Sequence, residues 1–140
     1  MPATNEAIIC LDVGSKRIGV AIATLAARLP RPLTTLQNDE AFMTHVQQII
    51  AEQAVQAIVV GLPRGLSGQE TAQTAIVQQF AADLGAAVQL PIHYQDEALT
   101  SVAAETELEE RGGTYIKGDI DALAATYILQ DYLDDMAGVW

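Results

Sequence analysis

Three acidic residues carry the chemistry that this sequence can be asked about. Asp12 closes the apolar run 7–11, Glu97 follows the β-type run 88–94 within Gln95-Asp96-Glu97, and Asp121 falls near the start of the last helical segment. Carboxylates gathered at one point repel one another and raise one another's pKa unless a cation sits among them. Hard oxygen ligands with water completing the shell suit Mg²⁺ or Mn²⁺, whereas the chain offers neither a His/Cys set for zinc nor a twelve-residue calcium loop. An ion held in this way activates water and stabilises the leaving oxygen in phosphodiester cleavage. Asp121 also has a plainer reading, as a first-turn acid favoured by the helix dipole beside Asp119 as N-cap. Neither His45 nor His93 falls near a candidate nucleophile; His45 reads as exposed and His93, inside a strand, as structural.

The elements must deliver these acids to one place. Residues 7–11 have no polar side chain except the Cys10 thiol, which predicts a strand buried on both faces. Gly14 permits a turn with φ > 0, and the apolar run 18–23 lies close enough to pair antiparallel, making a hairpin with Asp12 near its tip. Residues 25–32, with two prolines, predict a loop, and 33–36 a short third strand. Asn38, Asp39 and Glu40 supply a helix start, after which Phe42, Met43, Val46, Ile49 and Ile50 share one face.

Residues 55–60 form the next strand and lead into the loop 61–69, at the carboxyl end of a strand, where open α/β sheets place their ligands. The glycines of that loop match no phosphate-binding consensus. A helix over 70–84 is expected to bury Ala72, Ala75, Ile76, Phe80 and Leu84, with Gly85 ending it. Pro91, within the strand 88–94, demands an edge position or a bulge. Thr100 or Ser101 caps a helix that runs to about Arg111 and stops at Gly112 and Gly113; residues 114–118 read as a loop. The last helix, from near Asp119, carries Leu123, Ala124, Tyr127, Ile128 and Leu133 to the core.

Right-handed crossovers set the two later strands parallel to the first. The fold class is therefore α/β, a five-stranded mixed sheet in which an antiparallel three-strand meander is joined by two parallel strands and flanked by helices. Asp12 and Glu97 then emerge at the same sheet edge, with Asp121 within reach.

With 140 residues, half of them apolar, the chain reads as one domain over 1–140 with a sizeable core. No apolar run approaches the ~20 residues of a membrane span, and residues 1–6 lack the pattern of a signal peptide, so a cytoplasmic protein with no membrane partner is expected. The lone Cys10 reads as a small buried hydrophobe. A net charge of −11 weighs against nonspecific binding of nucleic acid. Distribution offsets this: Lys16, Arg17, Arg28, Arg31, Arg64, Arg111 and Lys117 fall in turns, loops or element ends, while acids such as Glu105, Glu109, Asp131 and Asp134 fill helix surfaces.

Four motifs, in order, make the resemblance specific: Leu11-Asp12-Val13-Gly14-Ser15-Lys16-Arg17-Ile18-Gly19-Val20-Ala21; Val59-Val60-Gly61-Leu62-Pro63 with Gly68; Asp96-Glu97-Ala98-Leu99-Thr100-Ser101; and Asp121-Ala122-Leu123-Ala124-Ala125 with Ile128-Leu129-Gln130-Asp131-Tyr132-Leu133. Over nearly the whole chain the sequence resembles the YqgF-type family of pre-16S ribosomal RNA nucleases and Holliday-junction resolvase homologues. The resemblance implies a ribonuclease H-like fold and a metal-dependent nuclease site. Asp12, Glu97 and Asp121 would be its catalytic acids and its ligands to Mg²⁺ or Mn²⁺. Lys16, Arg17 and Thr100 would lie beside them, with Arg64 and Lys117 as further contacts to nucleic acid. The implied task is maturation of the 5′ end of pre-16S ribosomal RNA, with the small ribosomal subunit as a partner.

Two departures from the family pattern are visible. Ala98 stands where an arginine is usual, and the loop before Asp121 keeps only Arg111 and Lys117 as cations. Both imply weaker backbone affinity, a steep salt dependence, or help from the ribosomal subunit. Beside an RNA endonuclease, the readings weighed are a branched-DNA nuclease with the same site and a non-catalytic nucleic-acid or ribosome-binding module. The hairpin also resembles the opening of actin-like ATPases, but 140 residues are too few for a two-lobed nucleotide cleft.

Overall fold

The computed structural model describes residues 6–65, 67–97, 106–107, 109–110 and 117–136. Five strands, β1 (Ala7–Val13), β2 (Arg17–Thr24), β3 (Arg31–Gln37), β4 (Val55–Pro63) and β5 (Ile92–Glu97), form one sheet in the order β3-β2-β1-β4-β5. β1, β2 and β3 form the antiparallel meander, while β4 and β5 run parallel to β1. The mixed sheet and its strand directions are those expected from the sequence. Among the described residues the long helices that flank it are α1 (Phe42–Glu52), α2 (Ala72–Val88) and α3 (Lys117–Asp135). Among the described residues no helix is long and apolar enough to cross a membrane.

Side-chain alternation along the strands divides the interior in two. Ile9, Leu11, Ile18, Val20, Ile58, Val60 and Leu62 meet Phe42 and Val46 of α1 and Val77, Ala81 and Leu84 of α2. Ile8, Cys10, Ala21, Ala23 and Val59 meet Ala125, Ile128, Leu129, Tyr132 and Leu133 of α3 on the opposite face. The central strands are thus buried on both sides, which is why their sequences read as continuous apolar runs rather than alternating ones. Cys10, fully buried, serves as the small hydrophobe its surroundings suggested. His45 is exposed, and His93 packs its ring against Tyr132 at 5.7 Å.

Several local expectations are corrected. Gly14 turns the chain without a positive φ, and glycine is required there by a close approach instead. A Cβ at residue 14 would stand 2.7 Å from the Arg17 carbonyl oxygen, which accepts the Gly14 N–H at 2.9 Å. β3 starts at Arg31 and includes Pro32, which an edge strand tolerates because one row of its N–H groups needs no partner. Pro91 precedes β5, the other edge strand, rather than lying inside it.

α2 presents a different face from the one expected. Thr74, Val77, Ala81 and Leu84 point inward, while Ala72, Ala75 and Ile76 are exposed. The phase is set at the first turn: Thr71 and Thr74 cap reciprocally, and the buried Thr74 hydroxyl donates to the Pro63 carbonyl at 2.5 Å. Gly85 does not end this helix but lies inside it, where a Cβ would come within 2.9 Å of Ile92. The end falls at Gln89, which takes the left-handed conformation.

α3 begins at Lys117, so 117–118 are helical rather than loop. Asp119 lies in its first turn rather than serving as N-cap, and Asp121 follows one turn in. Most of the expected helix from Thr100 or Ser101 to Arg111 lies outside the described residues. Residues 106–107 and 109–110 are helical, and Tyr127 donates a hydrogen bond to Glu107.

The Thr74–Pro63 bond ties the start of α2 to the end of β4, where the loop to the acidic edge begins. Thr74→Val keeps the shape but leaves the Pro63 carbonyl without this donor, and should cost about 1–2 kcal/mol, read as a lower urea midpoint with an unchanged m-value.

Candidate active site

Alternation along β1 sends Ile8 and Cys10 to the face covered by α3, and Asp12, two residues on, follows them. The antiparallel partner of Asp12 on β2 is Gly19. On its other side β4 runs parallel, with Leu11 opposite Val60, so Gly61 comes next along that strand. Neither neighbour has a side chain to cover the acid. Glu97 arrives from β5, paired with Pro63, and lays its side chain over Gly61: its Cγ and Cδ would stand 3.3 and 3.5 Å from a Cβ there. In this position Glu97 hydrogen-bonds the Asp12 carboxyl group.

Asp121 comes from the second turn of α3, whose backbone passes directly over Gly19. A Cβ at residue 19 would collide with the Asp121 carbonyl group, so only glycine lets the helix approach. The Asp121 carboxylate accepts a hydrogen bond from Arg17 Nε at 2.6 Å, a charge-assisted contact between residues 104 apart in sequence. This partner is what the reading of Asp121 as helix-start decoration left out.

Burial is the largest cause that lifts the Asp12 carboxyl, followed by the hydrogen bond with Glu97 and the charges of Glu97 and Asp121; together they push it from about 3.8 up to about 9. The Asp12 carboxyl group therefore keeps its proton at neutral pH. The same burial, with the charges of Asp12 and Glu97 behind it, raises the Cys10 thiol as well.

The donor set fits a hard divalent ion in its chemistry: carboxylate oxygens, already close, whose charges raise the Asp12 carboxyl. It is not a preformed cage. Among the described residues no three Asp, Glu, His or Cys side chains are grouped to hold a metal ion, and Asp121 is engaged with Arg17 instead of completing such a group.

The basic residues are placed less as expected. Lys16 is exposed at the hairpin tip, whose geometry is fixed by Asn38 donating to the Gly14 and Lys16 carbonyls from side chain and backbone. Arg17 is turned to Asp121, and Arg64 is held by Asp96 at 3.1 Å and Glu70 at 3.4 Å, fastening the loop after β4 to the end of β5. Thr100 and the Lys117 side chain lie outside the described residues. Sequence reasoning missed Gly19 and Gly61 as parts of the site; the signal was that both fall beside Asp12 once the strands are aligned.

The five-stranded mixed sheet flanked by helices is a ribonuclease H-like fold. Solved structures that share this fold include two with Holliday junctions bound. Thermus thermophilus RuvC in complex with a Holliday junction substrate superposes with a TM-score of 0.59 at 14% identity, covering 95% of this chain and 97% of that one. The Fowlpox virus resolvase, with Holliday junction DNA, gives 0.56 at 9% identity, covering 94% and 99%.

The chain belongs to the RuvX family, the YqgF type, described as Holliday junction resolvase, whose model matches residues 6–135. Its relatives include proteins named "Putative pre-16S rRNA nuclease". That of Chloroflexus aurantiacus is 43% identical over 134 residues, covering 93% of this chain and 88% of that protein. That of Crocosphaera subtropica is 46% identical over 129 residues, covering 89% and 90%.

The raised Asp12 carboxyl has a stability consequence whose sign is fixed. Between about pH 4 and 9 the folded protein keeps a proton that the unfolded chain releases, so this group makes the metal-free fold less stable as pH rises through that window. Asp12→Asn, whose amide can donate to Glu97 as the protonated acid does, should flatten the dependence. By denaturant titration it should be more stable than wild type at pH 8, by on the order of 5 kcal/mol, and nearly equal to it below pH 4.

Proposed function

We propose that this protein is a divalent-cation-dependent endonuclease that hydrolyses phosphodiester bonds in RNA and matures the 5′ end of pre-16S ribosomal RNA in the cytoplasm. Membership of the RuvX family and relatives named for pre-16S rRNA support the nuclease class and the substrate. The observation that carries the reading is the Asp12–Glu97 pair. Two carboxyl groups from different strands meet above an apolar face of the core, and Asp121 stands on the same side.

Asp12 and Glu97 would hold Mg²⁺ or Mn²⁺, with Asp121 as the third acid of the site. When bound, the ion would supply a Lewis acid for the scissile phosphate and lower the pKa of a water molecule. The chain's own residues position and insulate. Ile8, Cys10 and Val59 make an apolar floor that strengthens every charge interaction above it. Arg17 fixes the direction of the Asp121 carboxylate, and Lys16 offers an exposed ammonium group to the phosphate backbone, a contact that positions without reading sequence.

Cleavage of a precursor 16S rRNA fragment with Mg²⁺ or Mn²⁺ tests the reading. Asp12→Asn and Glu97→Gln should each lower the rate at least ~100-fold, and Asp121→Asn about as much. Wild type no faster than Asp12→Asn would refute it. Binding can be measured separately: millimolar Mn²⁺ should raise the melting temperature of wild type by several degrees and leave Asp12→Asn unmoved, because the ion takes the place of the proton on Asp12.

A second reading rests on the family's own description as a Holliday junction resolvase. On it, the same acids cut branched DNA. Four-way junctions cut faster than precursor RNA under matched salt and metal would favour it; junctions left intact where RNA is cut would remove it.

A further inference from the structure

We infer that Gly61 is a positioning residue for the acidic pair: its missing side chain leaves the gap on β4 through which Glu97 reaches Asp12. The inference rests on the proposed nuclease site and names a residue on which that site depends.

Gly61 lies inside β4, with buried Val60 before it and buried Leu62 after it. Glycine weakens a strand interior, and here no left-handed backbone calls for it, since among the described glycines only Gly68 has a positive φ. Its reason must be a close approach. Two side chains fill the space where its Cβ would stand: Ile128 Cδ1 at 2.8 Å and Glu97 Cγ at 3.3 Å, with Glu97 Cδ at 3.5 Å. The first is a clash; the second is tight enough that Glu97 must yield. Asp12 is on the strand beside Gly61 and Glu97 on the strand beyond, so the Glu97 side chain spans β4 to make its hydrogen bond. A methyl group on Gly61 would stand in that path. The neighbour on the other side of Asp12, Gly19, has a different task, because what it admits is backbone of α3.

The two contacts at Gly61 separate packing from positioning. Gly61→Ala meets both Ile128 and Glu97, whereas Gly61→Ala with Ile128→Val removes the Cδ1 clash and leaves only the pressure on Glu97. The experiment compares wild type, Ile128→Val, Gly61→Ala and the double variant. Its readouts are cooperative thermal unfolding, Mn²⁺ affinity by calorimetry, kcat and KM for precursor RNA, and crystal structures of wild type and the double variant. The double variant should unfold cooperatively, like Ile128→Val, yet bind Mn²⁺ at least tenfold more weakly and lose at least tenfold in kcat with KM within twofold. Its Glu97 carboxyl group should be displaced from Asp12.

Wild-type affinity and kcat in the double variant, or Glu97 in its original place, overturns the inference. Loss of cooperative unfolding in both alanine variants overturns it too, since the glycine would then serve packing alone. If wild type itself neither binds Mn²⁺ nor cuts RNA while Glu97 moves in the double variant, the nuclease reading falls and the positioning role stands.

Discussion

A carboxyl group held protonated among other acids sets the terms for the rest of this structure. Asp12 and Glu97 hydrogen-bond above an apolar floor of Ile8, Cys10 and Val59, and the cost appears as a carboxyl raised to about 9. A fold under selection for stability alone would place Asn or an apolar residue at 12. Local destabilisation at one point, surrounded by well-packed strands, is the pattern of a site whose purpose is chemical. The surroundings hold the arrangement rather than relieve it. The crossovers bring β1 and β5 to the same edge, Gly19 admits α3, and Gly61 leaves room for Glu97.

Charge is handled in the same economical way. The chain carries −11 overall, and two of its seven cations, Arg17 and Arg64, are engaged with acids at the rim of this edge. Arg17 neutralises Asp121, which would otherwise add its full charge to the repulsion felt by Asp12. Arg64 fastens the loop after β4 by pairing with Asp96 and Glu70. Cations that serve structure in this way are less free to attract a polyanion. The basic hairpin tip at Lys16 therefore gains weight in any account of how a phosphate backbone is brought to the acids.

The sheet was legible because its signals are strong: runs buried on both faces, a short hairpin, and crossovers whose handedness leaves one arrangement. The meeting of Asp12 with Glu97 followed from strand direction alone. What failed was local. Ala72, Ala75 and Ile76 are as apolar as Val77 and Ala81, so hydropathy does not fix the α2 face; the Thr71–Thr74 cap and its bond to Pro63 do. In the sequence Gly14 and Gly85 have the look of conformational glycines, whereas what they avoid are contacts, with the Arg17 carbonyl and with Ile92. Arg17 lies beside the acids as the motif implies, but its pairing with Asp121 depends on an approach across 104 residues, to which sequence spacing is blind.

That long separation also explains how the parts depend on one another. Asp12 is fixed by a hairpin, the most local element of the sheet, but Glu97 requires both parallel crossovers and Asp121 requires α3 to dock on β2. Contacts of such high sequence separation contribute only after the chain entropy between them has been lost. The acids therefore meet only in the assembled fold. Their repulsion then acts on a framework that resists it: the double-sided core holds β1 and β4 in register, and the Gly19 contact allows the Asp121 segment of α3 to lie close against β2. A site assembled this way is accurate because its side chains span short gaps between rigid backbones, with one glycine under each of the two acids that arrive from outside the hairpin.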